Sequence, residues 1–331
     1  MVRIKNKSAP VNSPPILKNN GWRELFKCLD GMGCQTSQGG HGWQIISRTQ
    51  LACPGKKRHQ NFIMFVPRFL GDWVHKNLPR WLVATLDRLY APYLSWMSVR
   101  VNRRLIKRLF PDGAIVVLAG PFHGMKYLAT SSGSTLIPKI VGTYEEELHG
   151  VIEQFVNKNC RRLIDIGCAE GYYLIGLALR LPGLEAHGFD LDAEAREKCK
   201  ALADLNGVSK RIHLEGRCSS AILNSLAGVG TSIICDCEGG ELELLDPQMV
   251  PSLRNADILV ELHDRLFPGT TETISQRFAP THKIHLIHSC TRNHRQYPVI
   301  AGLNKSEQRL AVDELRGGEV TWAFMESLKA V

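Results

Sequence analysis

The residues best suited to chemistry in this chain fall in two short stretches. In "SIICDCEGGELELLDP" an apolar run ends in Asp236 and Glu238, with Gly239, Gly240 and Glu241 next. In "DILVELHD" a second apolar run ends in Glu261, His263 and Asp264. Carboxylates set directly after buried runs are unfavourable unless solvated, paired or used. An imidazole among them, with an ordinary pKa of about 6.5, can take a proton from a hydroxyl near neutral pH. His263 is therefore the candidate general base, and Glu238 or Glu261 the carboxylate that orients its ring. Asp236, Glu238 and His263 could instead hold Mg²⁺ or another divalent ion. Only one or two carboxylates would be well placed for that, so a divalent metal is possible but none is assigned. The purely structural alternative is that Glu238 and Glu241 cap the following helix.

A third stretch, "LIDIGCAEGYYLIGLALRL", runs from an apolar strand through a small-residue loop into a helix. Asp165, Gly167, Ala169 and Gly171 lie in it, and such loops let backbone N–H groups approach a ligand closely. A dinucleotide fingerprint would need glycine at 169 and a third glycine further on, and both are missing. In "EAHGFDLD" Asp190 follows Asp165 by 25 residues. An acidic residue at the tip of a second strand can accept from both ribose hydroxyls. Asp192 is better placed to cap the helix "AEAREKCKALADL". The third strand, "RIHLE", leads into Gly216–Arg217–Cys218, a loop positioned to border an adenine.

The elements that must position these groups alternate along the chain. Strands are predicted over 163–167, 185–190, 211–215, 231–236, 257–262, 283–288 and 319–325, with helices in most gaps. That alternation gives an α/β fold with a doubly wound, mostly parallel seven-stranded sheet. In such a sheet strands four and five are neighbours, so Asp236, Glu238, Glu261 and His263 converge beside the strand-one loop. Upstream, Thr143 and Glu146 form a capping-box pattern opening the helix "TYEEELHGVIEQFV". Residues 113–140 alternate and carry glycines, as a small β-hairpin would. From 77 to 110 the pattern is helical with a break at Pro92; Leu94, Met97, Val101 and Leu105 face one way and Arg100, Arg103, Arg104 and Lys107 the other. Packing on the main domain with a solvated basic face is the favoured reading, and membrane or nucleic-acid contact the alternative.

The set "LIDIGCAEGYY", "GFDLD", "CDCEGGELELL" and "LVELHD" resembles class I S-adenosylmethionine-dependent methyltransferases, specifically the FkbM-type group. The D-x-E-G-x-E pattern of that group is matched by Asp236, Glu238, Gly239 and Glu241. The closing "VDELRGGEVTWAFM" is similar to the last helix-to-strand segment of its sugar and natural-product O-methyltransferases. Cys168–Ala169–Glu170 stands in place of a commoner small/Asn pattern. The resemblance covers about 143–328 and implies a Rossmann-like domain over 143–331. It implies S-adenosyl-L-methionine over Gly167 and Gly171, its ribose on Asp190 and its amino-acid moiety near Asp165. Ala169, Cys218 and Asp236 complete the implied cofactor set. It also implies O-methylation of a hydroxyl on a small-molecule, sugar, glycan or natural-product acceptor. The alternatives are an RNA methyltransferase and a non-catalytic cofactor-binding or membrane-docked protein. Strand four ends in D-C-E-G rather than the N/D-P-P-Y type that stacks an amino-bearing base, so nucleic acid is the weaker reading.

Charge divides the 331 residues: 1–110 hold 19 Lys/Arg against 4 Asp/Glu, and 111–331 hold 22 against 28. A basic N-terminal third suggests docking to an anionic membrane face or an acidic partner. Residues 1–60, rich in Gly, Ser, Asn, Lys and Pro, read as a disordered or loosely ordered basic arm, and 61–142 as accessory helices and the hairpin. Cys160, Cys168, Cys199, Cys218, Cys235, Cys237 and Cys290 mostly sit in apolar or helical stretches, as reduced core-filling thiols do. No C-x-x-C pair supports a structural zinc site beside Cys235, Cys237, His282, His285 and His288. Neither a signal-peptide apolar core nor an uncharged run of about 18 residues is present, so a cytoplasmic location, peripheral to a membrane at most, is expected.

Overall fold

The computed structural model describes residues 99–316 and 318–329, together with the strands Cys34–Gly39 (β1) and Gly42–Ser47 (β2). Contacts divide the chain into two units, Met1–Phe65 and Val66–Val331. In the first, β1 and β2 pair antiparallel from Cys34↔Ser47 to Gly39↔Gly42. "GWQIIS" holds Trp43, Ile45 and Ile46, types that favour strands over a length too short to show as periodicity. The rest of the arm expected over 1–60, and the helical pattern before residue 99, lie outside the described residues.

The second unit is built on a seven-stranded sheet. Its strands are Arg162–Ile166 (β3), Glu185–Phe189 (β4), Ile212–Glu215 (β5), Thr231–Cys235 (β6), Asp257–Leu262 (β7), His282–His288 (β8) and Thr321–Ser327 (β9). The order is β5-β4-β3-β6-β7-β9-β8. All neighbours are parallel except β9, which runs antiparallel between β7 and β8. Each predicted strand is present within two residues of its expected ends. The order reverses between β3 and β6, the switch point outside which α/β sheets bind ligands.

Alternation along β3 assigns the two faces. Leu163 belongs to one buried cluster with Phe155, Leu174, Cys199 and Phe324, while Ile164 and Ile166 join Phe189, Leu223, Ile274 and Phe278 in the other. The first face is covered by helices 99–109 (α1), Leu136–Val141 (α2), His149–Asn157 (α3), Tyr172–Arg180 (α4) and Ala193–Leu205 (α5). Ser220–Leu226 (α6), Glu241–Leu244 (α7) and Thr270–Phe278 (α8) cover the second. Helix α5 shows why the chain folds so locally. Asp192 caps it by accepting from Glu194 N–H, and Ala195, Cys199, Leu202 and Ala203 form its buried stripe. Fully burying a side chain such as Phe155, Phe189, Phe278 or Leu163 contributes about 1.5–3 kcal/mol each.

Upstream of β3 two expectations are corrected. The Thr143/Glu146 capping box does not form: Thr143 Oγ1 is buried without a partner, and α3 starts at His149 after a 3₁₀ turn, Glu146–Leu148. Glu145, Glu146 and Glu147 are drawn instead to Arg316, Tyr297 and Arg292. The hairpin over 113–140 is reduced to one antiparallel bridge, Val116↔Lys126, flanked by Val117 N–H to Met125 O and Tyr127 N–H to Ile115 O. Beyond it the chain is claimed by a buried carboxylate. Glu170, 0% exposed, accepts from Tyr127 Oη at 2.7 Å, Ser131 Oγ at 2.6 Å, Ser132 N–H at 3.0 Å and Lys139 Nζ at 2.6 Å. α1 packs as the favoured reading proposed: Leu105 is buried, Arg103 and Lys107 are exposed, and Arg104 and Arg108 pair with Glu307. The seven cysteines named above are free thiols, with Cys237 half-buried and Cys290 exposed. Among the described residues no helix is long and apolar enough to cross a membrane.

Burial works against the Glu170 charge, but Lys139 and the three hydrogen-bond donors outweigh it and hold the carboxyl at about 2. This stabilisation is complete above the unfolded-state value of about 4.3 and is lost as pH falls towards 2. Glu170→Gln would strand the Lys139 ammonium, and about 3–5 kcal/mol of stability should disappear. Urea denaturation at pH 7 measures this, and the Lys139→Met/Glu170→Met pair should cost less than Glu170→Gln alone.

Candidate active site

A cavity of about 640 Å³ opens beyond the carboxyl ends of β3, β4, β6 and β7, within the size range of small-molecule sites. Its floor is the loop after β3. Gly167 has φ +85°, and a Cβ there would lie 1.7 Å from the Asp236 carbonyl oxygen. Only glycine permits that approach. Gly171, at φ +93°, is the N-cap of α4, where a Cβ would meet Cys199 Sγ at 2.6 Å. Between them Ala169 adopts φ +47° and donates its N–H to Asp190 Oδ2 at 2.9 Å. The other Asp190 oxygen accepts from Asp192 N–H at 2.8 Å. Asp190 thus fastens the β4 tip to the β3 loop, and each oxygen keeps a lone pair for a ligand hydroxyl. Gly216, Arg217 and Cys218 line the same cavity, as does Asp165. Burial, then the nearby Asp236 and Asp190 carboxylates, push Asp165 up to about 8.

The ends of β6 and β7 bring the remaining expected residues together. His263 Nε2 lies 3.7 Å from Asp236 Oδ1, 3.4 Å from Glu238 Oε2 and 3.6 Å from Glu261 Oε1. Its Nδ1 is 3.1 Å from Glu241 Oε1, an ion-pair distance without the alignment of a hydrogen bond. Glu241, foremost, with Glu261 and Asp236, raises His263 to about 9 against the opposing effect of burial. The ring is therefore a cation at neutral pH. His263 also stands behind the cavity wall, which is formed by Asp236, Glu238 and Glu261. Burial, then Glu145, lifts Asp236 to about 7; burial, then Asp236, lifts Glu261 to about 8. Asp236 Oδ1 is buried and accepts no hydrogen bond, so the wall holds a polar atom awaiting a partner. Asp236, Glu261 and His263 also present donor atoms within 4.8 Å of one another, a spacing that a divalent ion could bridge.

Several lining residues were not singled out from the sequence. Arg316, in the loop before β9, pairs with Glu145 and Glu314, lies 3.9 Å from Glu261 and stacks over Tyr144. Glu145 also accepts from Tyr173 Oη. The "TYEEEL" stretch signalled only a helix start, and "VDELRGGEVTWAFM" only a resemblance to a closing helix-to-strand segment; nothing in their spacing places them beside Asp236. Backbone strain marks the same place. Among the described residues five non-glycines have positive φ, and four of them, Glu145, Ala169, Glu238 and Leu315, line the cavity. Such conformations cost about 1–3 kcal/mol each and concentrate at functional sites.

The sheet order, with its antiparallel β9 next to the edge strand β8, and the loop-and-carboxylate arrangement at the switch point define a class I methyltransferase fold. No protein-family model matches the chain. A 102-residue stretch is 32% identical to a release factor glutamine methyltransferase of Chlorobaculum tepidum, covering 30% of this chain and 31% of that protein. The chain thus spans under a third of that relative's length. Among solved structures it is similar to a human methyltransferase 10 domain containing protein, with 15% identity over 69% of this chain and 97% of that one and a TM-score of 0.40. The O-methyltransferase TomG from Streptomyces achromogenes, involved in tomaymycin synthesis and solved with SAM, is 14% identical over 56% of this chain and 81% of its own, with a TM-score of 0.38. An O-methyltransferase from Bacillus cereus solved with SAH is 11% identical over 54% and 79%, with a TM-score of 0.36. At these scores the solved structures add nothing to what the sheet order establishes.

The raised pKa values have one sign. A carboxyl raised from about 4 to 7 or 8 destabilises the fold as pH climbs through that interval. A histidine raised from 6.5 to about 9 contributes stability below 6.5 that is lost towards 9. Both trends predict a ligand-free protein that melts several degrees lower at pH 9 than at pH 6.5. A Glu261→Gln variant should flatten that dependence in differential scanning calorimetry.

Proposed function

We propose that this protein is an S-adenosylmethionine-dependent methyltransferase acting on a hydroxyl of a sugar, glycan or natural product. The observation that carries the reading is the cavity itself. Gly167 and Ala169 form its floor, with Gly171 behind them at the start of α4; Asp190 stands at the β4 tip, and Asp236, with a buried oxygen that accepts no hydrogen bond, forms its wall. These residues suit an adenosyl cofactor: Asp190 for the ribose hydroxyls, Gly216 to Cys218 beside the adenine, and Asp165 with Asp236 for the cationic amino-acid end. The bound cofactor would supply an already activated methyl group. The D-x-E-G-x-E pattern on β6 supports an FkbM-type assignment within that class.

The protein's own part is alignment and proton removal. A hydroxyl must lose its proton on transfer, and the group that takes it must face the cavity. Glu261 and Asp236 do face it, with pKa values of about 8 and 7. We therefore assign the base to Glu261, with Asp236 beside it. His263, in place of the direct role its sequence position suggested, is the cation that holds Asp236, Glu238 and Glu261 together. Nine carboxylate-bearing residues line the cavity against three cationic ones, Lys139, Arg217 and Arg316. That balance opposes a phosphate-rich acceptor such as RNA. The basic N-terminal third remains a proposed contact for an anionic membrane face or an acidic partner.

Equilibrium binding of S-adenosylmethionine, followed by labelled methyl transfer to a panel of sugars and polyketides, tests the reading. Asp190→Ala should weaken cofactor binding at least tenfold. Glu261→Gln should lower kcat by about 10²–10⁴ with cofactor affinity kept, and should remove a rise in rate centred near pH 8. A chain that binds no cofactor, or a Glu261→Gln variant with full activity, would refute it.

A further inference from the structure

A second cluster of metal-type donors lies outside the cavity lining, on the first half of β4 and on β5. Glu185 and His187 are two apart on that strand and so share a face. His213 on β5 is the cross-strand partner of His187, so register brings it to the same face. One donor atom from each of the three lies within 4.8 Å of the others. The two imidazoles stack with centroids 4.8 Å apart at 22°. Glu185 Oε1 sits 2.9 Å from His187 Nε2. Its other oxygen is held by Arg162 Nε at 3.1 Å and Nη2 at 2.8 Å, and Arg162 Nη1 is anchored on the Leu226 carbonyl at 2.9 Å. The carboxylate is thus oriented, with one oxygen turned to the histidines.

We propose that Glu185, His187 and His213 form a zinc site that clips β5 to β4. Two imidazoles and one carboxylate match the donor preference of Zn²⁺, whereas Mg²⁺ and Ca²⁺ take oxygen donors. Zinc bonds of about 2.1 Å ask tetrahedral donors to stand about 3.4 Å apart. His187 is buried and fixed, while His213 is exposed and can swing inwards to close the gap. Water fills the fourth position. The His187 ring gives up its N–H contact with Glu185, and both residues bind the ion through the atoms that now face each other. The structural return is clear from the sheet: β5 has four residues, is paired on one side only, and is the edge of the sheet. Zinc would tie that edge down with His187 two residues, about 7 Å along the strand, before Phe189 of the cavity lining. No spacing motif reveals this site, because its ligands come from two strands joined by a helix.

Titration of ZnCl₂ into the full chain, read by calorimetry and by thermal melting, tests the proposal. One zinc should bind, raise the melting temperature and be reversed by a chelator. His213→Ala, a change at an exposed position, should keep the circular dichroism spectrum and weaken zinc binding at least about tenfold. Glu185→Gln should weaken it as well. Asp236→Asn, which dismantles the other three-donor group, should leave the zinc bound and the melting shift intact. Absence of saturable binding, zinc retained by His213→Ala, or zinc lost with Asp236→Asn would each overturn the assignment.

Discussion

The close approach of Gly167 to the Asp236 backbone is the contact on which the candidate active site depends. Parallel register pairs Ile166 with Cys235, so the residues that follow each strand meet at the switch point. Asp236 N–H donates to Ile166 O at 2.9 Å, and Gly167 N–H donates to Phe189 O at 2.7 Å. Three strand ends are thereby stitched together before any side chain takes part. The Gly167 turn needs left-handed backbone and no Cβ, which is why this position tolerates nothing larger. Once that turn is made, Ala169 reaches Asp190 and the Asp236 carboxylate is fixed beside the loop.

Around this stitch the protein manages charge rather than avoiding it. Glu170, one residue beyond the left-handed Ala169, gathers the buried Tyr127 and Lys139 and the half-buried Ser131 and Ser132 into one set. That set fixes the segment before β3 against the loop, which is how Ser132, Lys139 and Tyr144 come to line the cavity. In the cavity lining Arg316 pairs with Glu145 and Glu314, and outside it Arg292, nearly buried, pairs with Glu147 and Glu314. Buried pairs of this kind add little net stability but become costly when one partner is removed. Their contribution is to position: they hold Glu145 and Leu315 in left-handed backbone that would otherwise relax.

The sheet was legible because its strands are short apolar runs closed by charged or glycine residues, a pattern that depends on neighbours in sequence. Asp190 and the Asp236-to-His263 cluster were legible for the same reason, since each stands at a strand end. What sequence did not show was contact between distant segments. The Thr143–Glu146 pattern satisfied a local rule, yet Tyr297 and Arg292, over 140 residues away, drew Glu146 off and the cap was lost. The 113–140 segment had the alternation of a hairpin, but Glu170 claimed its polar residues. The Glu185, His187 and His213 group exists only through the register of β4 on β5.

His263 shows how surroundings alter the proton affinity that residue type suggests. An isolated histidine titrates near neutrality and invites assignment as a base. Here four carboxylates stand within 4 Å of its ring, and one, Glu241, is 1% exposed. Their field keeps the ring protonated and at the same time concentrates repulsion on Asp236 and Glu261. Burial and this mutual repulsion raise the proton affinity of Asp236 and Glu261, and the His263 charge partly offsets the rise. Those are the groups that face the cavity, and their pKa values of about 7 and 8 lie where a base working near neutral pH is most effective. Neutralising the His263 charge would leave Asp236 and Glu261 facing each other without a counterion. In the function proposed above, the histidine would act by setting the charge state of Asp236 and Glu261 while standing behind them itself.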